Sequence, residues 1–266
     1  MSLPAMSALE PLPFELVYSD GEPLDNGWHV SQMHLLLELI GQVMVEQGRT
    51  DFYAGGDMFV YYSVEQARDV AKGRPYFRGP DVFWVGGVSY TPIRKAWVAW
   101  EEGGRLPDVI VELLSPSTAH IDRTVKKDLY ARTFRTSEYF MYEPEARKLE
   151  GFRLAGSSYR PMVPDCQGRF WSEQLGVFLG PARGTFWGQE EDWVWLSRSD
   201  GSLIPTWAMQ AAEEQNRADA AQRRADAEQH RADAEQHRAD AERQRAAEAE
   251  AEVARLRALL ADHGRG

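Results

Sequence analysis

Two acidic residues, each set against an apolar segment, are the positions of this 266-residue chain best suited to chemistry. Glu112 lies inside the run Val109–Leu114, whose other members are all aliphatic, and Asp81 directly precedes the apolar segment Val82–Val85. A carboxylate inside a buried strand is costly unless a cation meets it. Because paired carboxylates suit a hard divalent cation, this pattern predicts a metal site.

The spacing of the acids along a strand decides which of them can meet. Alternate residues of a strand share a face, so Asp108 and Glu112 point the same way, but about 13 Å of strand separates them. That distance is too large for one ion, and we expect Asp108 to have a structural role. Asp81 can lie beside Glu112 if the two segments pair as antiparallel strands in the right register.

A helix is predicted directly after the Glu112 strand. Ser115-Pro116-Ser117-Thr118 is typical of a helix start, and apolar residues then recur at helical spacing as far as about Arg132. The members of this stripe are Ile121, Val125, Leu129 and Tyr130. The pattern predicts that the stripe is buried, with Lys126 at its border and Lys127 turned further toward solvent.

Lys126 is the candidate cationic partner of the two acids. An ammonium group beside a metal ion could orient an attacking water or offset charge that builds on a phosphate. The alternative is that Lys126 pairs only with Asp122, four residues earlier, on the surface of the helix.

The elements that must position these groups follow from periodicity. Val30–Glu46 has apolar residues at spacings of three and four, which predicts an amphipathic helix. Segments rich in β-branched and aromatic residues predict strands at Met58–Tyr62, Val82–Val85, Val109–Leu114 and Glu138–Tyr142. Gly-Gly pairs that begin at positions 55, 86 and 103 predict hairpin turns, and 149–195 predicts further hairpins. The order helix, three strands, helix, strand predicts an α/β layered core.

The composition changes after residue 205, which predicts a second region at 206–266. A seven-residue repeat, Arg-Ala-Asp-Ala-Glu-Gln-His in its clearest copies, has no Gly or Pro and predicts one long helix with ladders of side-chain pairs four residues apart. Its alanines are two and five apart, so a strong coiled coil is not expected. Val253, Leu256 and Leu260 form the best apolar edge. The helix is either a solvated charged helix or a weak oligomerisation or partner-binding helix.

Charge and composition limit the classes of function. The net charge is −11, and both regions carry more acids than bases, so contact with nucleic acid would need a local basic patch. Candidates for such a patch are Arg78, Arg94, Lys95, Arg123 and Lys127. The single Cys166 excludes an internal disulfide, and His29, His34 and His120 lack the spacing of a zinc site. We expect a cytoplasmic protein with no leader and no membrane span.

A bacterial family of restriction endonucleases within the PD-(D/E)XK nuclease superfamily resembles this chain over roughly Val30 to Pro161. The positions that carry the resemblance are Gly79-Pro80-Asp81, the run from Val109 through Glu112 to Thr118, Asp122-Arg123-x-x-Lys126, Leu129-Tyr130, Glu138-Tyr139 and Glu143-Pro144. The most specific part is the turn Glu112-x-x-Ser115-Pro116-Ser117-Thr118 followed by the Asp-Arg-x-x-Lys helix. Members of this family often carry an Ala/Arg/Glu-rich helical tail as well.

The resemblance implies a restriction-endonuclease-like core that cuts DNA. It implies that Asp81 and Glu112 hold Mg²⁺ or Mn²⁺ and that a lysine assists attack of water on a phosphodiester. The superfamily pattern has its lysine two residues after the strand acid, where this chain has Leu114, and the matching lysine here is Lys126 on the next helix. Glu38 on the first helix is either an accessory acid near the metal or part of a solvated face.

Two other interpretations of the whole chain remain open from the sequence. In one, the globular part is a catalytically inactive scaffold and the repeat helix binds a partner protein. In the other, the repeat helix assembles homodimers, so that two active sites meet the two strands of a duplex.

Overall fold

The computed structural model describes residues 12–18, 26–73, 79–89, 94–116 and 118–263, with side chains as far as 257. Arg78, Ser117 and the side chain of Leu260 therefore lie outside the described residues. The chain divides into two compact units, Met1–Trp207 and Ala208–Gly266. This boundary is within a few residues of the one that the change in composition indicates.

A six-stranded mixed sheet forms the centre of the first unit, in the order β1-β3-β5-β6-β7-β8. Its strands are β1 (Phe52–Gly56), β3 (Val82–Gly86), β5 (Val109–Leu113), β6 (Glu138–Glu143), β7 (Lys148–Ala155) and β8 (Ser158–Pro161). The neighbours β5 and β6 run parallel, and the other neighbouring pairs run antiparallel. A parallel pair needs a crossover connection, which the helical stretch between β5 and β6 provides.

The predicted strand at Met58–Tyr62 was wrong in its extent, and the segment is not part of the central sheet. Only Val60–Tyr61 is extended there, as β2, and it pairs in parallel with β4 (Trp97–Val98) outside the central sheet. The central sheet instead uses β1, which contains the Gly55-Gly56 pair predicted to be a turn. A Cβ atom added to Gly56 would lie 2.7 Å from the carbonyl oxygen of Asp81, so glycine permits a close approach of two backbones here.

The first helix, α1 (Gly27–Glu46), confirms the predicted amphipathic pattern. The side chain of Asn26 caps it by accepting a hydrogen bond from the backbone N–H of His29 at 2.9 Å. Its apolar stripe is buried against the central sheet and against a second, three-stranded sheet. Gln32 reinforces the second contact, since its amide donates to Val194 O at 3.0 Å and accepts from Val194 N at 2.7 Å.

The second sheet confirms the hairpins predicted after Leu149. It has the order β11-β10-β9, with strands β9 (Phe170–Ser172), β10 (Val177–Phe186) and β11 (Gln189–Ser197). A short helix, α2 (Val64–Ala71), follows β2 and is capped by Ser63.

The crossover between β5 and β6, named the site helix from here on, is one helical stretch of four consecutive segments. These are Ala119–Ile121 and Lys127–Leu129, which are α-helical, and Asp122–Lys126 and Tyr130–Phe134, which are π-helical. Tyr130 and Phe134 pack on the face of the central sheet that carries Ile110 and Tyr139.

The second unit is a single helix that continues from Trp207 to His263, named the C-terminal helix. Side-chain amides donate to acids four residues later in successive repeats, from Gln215 to Asp219, Gln222 to Asp226, Gln229 to Asp233 and Gln236 to Asp240. Such pairs stabilise an exposed helix by a few tenths of a kcal/mol each. Among the described residues, no helix is both long enough and apolar enough to cross a membrane.

Candidate active site

The two acids come together because their strands pair as the sequence suggested. Strand β3 is antiparallel to β5, with Val82 opposite Val111. Asp81 directly precedes β3, and the next position outward in this register faces Glu112. The backbone N–H of Asp81 lies 3.4 Å from Glu112 Oε2 and donates to it.

Glu112 is the deepest group of the site, with none of its surface exposed. The hydroxyl of Tyr130 donates to its Oε1 at 2.8 Å, and Lys126 Nζ donates to its Oε2 at 3.1 Å. Burial raises the pKa of Glu112 well above its ordinary value; Lys126 opposes this effect, while the negative charges of Asp81 and Asp122 add to it. Burial therefore disfavours the ionised form of Glu112, and a nearby cation favours it.

Asp81 is the more accessible acid of the pair, since 22% of its side chain is exposed and none of the Glu112 side chain is. Its Oδ1 lies 3.3 Å from His29 Nε2, and its Oδ2 accepts from the backbone N–H of Leu113 at 2.6 Å. Burial acts to raise the pKa of Asp81, but the hydrogen bond to His29 and the charge of Lys126 outweigh it and hold this pKa below its ordinary value. The environments of Asp81 and Glu112 thus shift the pKa values of two neighbouring carboxyl groups in opposite directions.

Lys126 is held between two buried acids. Besides Glu112 it contacts Asp122 Oδ1 at 2.8 Å, and Asp122 is only 2% exposed. Burial acts to lower the pKa of Lys126, but the charges of Glu112, Asp122 and Asp81 more than offset it and raise this pKa. Lys126 is therefore a fixed ammonium group, and a pair confined to Lys126 and Asp122 on the helix surface was the wrong interpretation.

The π-helical geometry explains why these side chains share a face. Ile121 and Val125, predicted to be buried, have 37% and 47% of their surface exposed, so the predicted apolar stripe was wrong at both positions. A π-helix takes up more residues per turn than the 3.6 of an α-helix, so residues four apart stay closer to one line. Asp122, Lys126 and Tyr130 consequently all face β5.

Charge and donor chemistry at this site fit a divalent cation. Three carboxylates surround one ammonium group, which leaves a net negative charge in a largely buried place. Carboxylate oxygens are ligands that Mg²⁺ and Mn²⁺ accept. Within the described ranges, no group of three or more His, Cys, Asp or Glu side chains is arranged to hold a metal. A carboxylate pair suffices for Mg²⁺, which commonly completes its shell with water and phosphate oxygens.

The other predicted acids lie in structural positions. Asp108 Oδ2 accepts from the backbone N–H of Gly86 at 2.9 Å and from Arg105 at 3.2 Å, so it joins the ends of β3 and β5. Glu38 accepts from the backbone N–H of Trp207 at 2.6 Å. That bond holds Glu38 at the end of the globular unit, and it is not one of the groups that contact Asp81, Glu112 or Lys126.

The predicted basic patch is largely occupied by acids and aromatic rings. Arg94 binds Glu102 at 2.5 Å with only 4% of its side chain exposed, which turns it away from any phosphate. Arg123 binds Glu143 and Glu150 at 2.7 and 2.6 Å. Lys127 Nζ lies 3.2 Å from the centre of the Phe152 ring, and the exposed Lys95 lies 5.4 Å from that of Tyr18.

Three residues of the site were not identified as such in the sequence. Asp122 and Tyr130 are four residues on either side of Lys126, and that spacing is the signal from which they could have been found. His29 carried no comparable signal, because its contact with Asp81 depends on how α1 packs on the sheet.

Two acids on adjoining strands, with a lysine supplied by the crossover helix of a mixed sheet, define a restriction-endonuclease-like core. The family model Uma2, described as "Putative restriction endonuclease", matches residues 7–180, and the chain belongs to this family. Among solved structures, the chain is similar to one titled as a putative nuclease belonging to DUF820 from Anabaena variabilis. The two share 15% identity with a TM-score of 0.40, over 59% of this chain and 81% of the other. No curated protein matches the chain.

Proposed function

We propose that this protein is a metal-dependent endonuclease that hydrolyses phosphodiester bonds in DNA, with Asp81 and Glu112 as ligands of Mg²⁺ or Mn²⁺ and Lys126 as the cationic helper. The observation that carries the proposal is Glu112, a fully buried carboxylate that meets both Asp81 and Lys126. A buried acid with a raised pKa has no inexpensive structural use. Membership of a family of nuclease type supports the same conclusion.

Each residue of the site has a separate task in this proposal. When bound, the metal ion would lower the pKa of a coordinated water and polarise the phosphate. Tyr130 and His29 hold the carboxylates of Glu112 and Asp81 in place. Lys126, fixed by Asp122, offsets negative charge on a phosphate that approaches from the exposed side of Asp81.

Plasmid nicking with Mg²⁺ or Mn²⁺ tests this proposal. We expect Asp81→Asn, Glu112→Gln and Lys126→Gln each to reduce the nicking rate by about 100-fold or more, as loss of a group that stabilises the transition state does. Asp128→Asn is the matched control, because Asp128 lies on the same helix but pairs with Arg132 at the surface. Equal traces of nicking in wild type and all four variants would mean contamination and would refute the proposal.

A second candidate function rests on the C-terminal helix. Its charged, exposed surface fits an interaction with a partner protein or with a second copy of the chain, and Val253 and Leu256 are exposed apolar residues toward its C-terminal end. Light scattering of the full chain and of a Val253→Lys, Leu256→Lys double variant tests the second copy. A dimer in the wild type alone supports assembly through this edge. Monomers of both proteins would favour an interaction with a partner protein instead.

We also propose that the protein acts in the cytoplasm, whatever its oligomeric state.

A further inference from the structure

A cleft of about 420 Å³ opens beside the candidate active site. It lies among the start of α1, the residues after β5, the turn between β6 and β7, and the beginning of β11. The side chains that give it its chemistry are those of Trp28, His29, Tyr142, Arg147, Glu191 and Asp192.

The cleft adjoins the carboxylate pair through His29. His29 lines it and also contacts Asp81 Oδ1 at 3.3 Å. Leu114 and Ser115, which follow Glu112 by two and three residues, form another part of its wall. A group in the cleft is therefore separated from Asp81 by one imidazole ring.

One wall of the cleft is aromatic and firmly supported. Trp28 is half-buried, and its ring stacks on Tyr142 at 5.8 Å and on Trp193 at 6.1 Å between centroids. Because Tyr142 and Trp193 are almost completely buried, the indole ring is held in one orientation. The part of the indole that lines the cleft is an apolar, rigid surface against which a flat ligand can pack, as bases of single-stranded nucleic acid pack on aromatic side chains.

The polar wall of the cleft is acidic. Glu145, Glu191 and Asp192 line it together with a single base, Arg147, which pairs with Asp192 at 2.7 Å. This surplus of carboxylates repels a phosphate. It suits a neutral ring with N–H donors, because carboxylates accept hydrogen bonds from exocyclic amino groups such as that of cytosine.

We infer that this cleft holds an unpaired nucleobase with an exocyclic amino group, next to the phosphate at the Asp81–Glu112 pair. The inference rests on the proposed function and narrows its substrate to single-stranded or locally opened DNA. A paired base keeps its amino group within the duplex and its faces within the stack, so it cannot occupy the cleft without being turned out.

Binding to short fluorescein-labelled oligonucleotides tests the inference without requiring cleavage. The protein is the full chain carrying Glu112→Gln, and the probes are oligodeoxycytidine, oligodeoxythymidine and a duplex of mixed sequence. We expect oligodeoxycytidine to bind about tenfold more tightly than either other probe, because thymine lacks the amino group and the duplex hides it. Adding Glu191→Gln should reduce that preference, since an amide accepts from the base less strongly than a carboxylate.

Glu190→Gln is the matched control for Glu191→Gln. Glu190 is the preceding residue of β11, is not among the lining residues, and pairs with Arg183 at 3.3 Å. This control should keep the full preference for oligodeoxycytidine. Equal affinity for the two single strands, tighter binding of the duplex, or no binding of any probe would each overturn the inference.

Cleavage by the wild type separates this inference from the proposed function. Nicking that depends on Asp81 and Glu112, together with equal affinities for the two single strands, would keep the nuclease and reject the base site. A preference for oligodeoxycytidine that depends on Glu191, without any nicking, would keep the base site and reject the nuclease.

Discussion

The site helix and the C-terminal helix place ionic or polar partners at the same four-residue spacing in opposite surroundings. In the site helix, Asp122 and Lys126 have 2% and 15% of their side chains exposed. In the C-terminal helix, Glu213 and Arg217 form the same kind of pair with 63% and 76% exposed. An exposed pair contributes little to stability, whereas burial of a pair costs desolvation that its mutual attraction must offset. The spacing alone therefore does not reveal which helix could carry function.

The largest effect on stability should come from removal of the cation in the site helix. Lys126→Met leaves Glu112 and Asp122 as buried acids without their ammonium partner, which should lower the free energy of unfolding by about 3 kcal/mol at pH 8. Urea denaturation measures this change. Arg217→Met in the C-terminal helix is the control and should change it by less than about 0.5 kcal/mol. Similar values for both variants would contradict the comparison.

Loss of the Tyr130 hydroxyl should have the next largest effect. Burial and the charge of Glu112 raise the pKa of Tyr130 well above its ordinary value, so the phenol keeps its proton and donates. Tyr130→Phe should lower stability by about 2 kcal/mol, as expected for a hydrogen bond to a buried charged group. Denaturation of the variant alongside Tyr18→Phe, a tyrosine with 47% of its surface exposed, measures the effect. A loss of stability no larger than that of the control would show that the Tyr130 hydroxyl does not stabilise Glu112.

Glu112→Gln should stabilise the protein in EDTA while it reduces the proposed nuclease activity. The pKa of Glu112 is raised above its unfolded value of about 4.5, so its ionisation favours the unfolded chain. This cost is absent below about pH 4.5, grows as the pH rises, and is complete above the folded pKa. Calorimetry in EDTA should show an advantage for the variant that grows with pH, with about 2–4 °C for each kcal/mol. A variant that melts below wild type from pH 5 to pH 8 would refute this account.

The smallest effect should come from the amide ladder of the C-terminal helix. Gln222→Ala removes the hydrogen bond to Asp226, and the helix should lose only a few tenths of a kcal/mol. Far-UV circular dichroism during heating measures this loss. A loss above about 1 kcal/mol would indicate that the ladder is not simply solvated.

The sequence was sufficient for the parts of the site that depend on alternation and strand pairing. The apolar runs around Asp81 and Glu112 predicted two strands, and a simple antiparallel register was enough to bring the acids together. The site helix was predicted in place, but its buried face was assigned on a period of 3.6 residues. The π-helical turns changed that period, which is why Ile121 and Val125 are exposed. No residue in the segment marks this change.

The remaining errors concern contacts between distant segments. Gly55-Gly56 is as typical of a turn as of a strand that another backbone approaches, and only the packing of β1 beside Asp81 distinguishes the two. Arg94 was a reasonable candidate phosphate ligand from the sequence, but in the structure its guanidinium group is paired with Glu102. His29 joined the site through the docking of α1. Each of these outcomes depends on tertiary structure, which local patterns do not contain.

Gly56 has a further consequence for variants of this protein. An alanine there would bring its methyl carbon against the carbonyl of Asp81 and to 3.0 Å from the sulfur of Met33. The displaced backbone would carry the acid away from its partners, although no charge had changed. An alanine at this apolar, uncharged position would therefore disturb the candidate site without removing either of its acids.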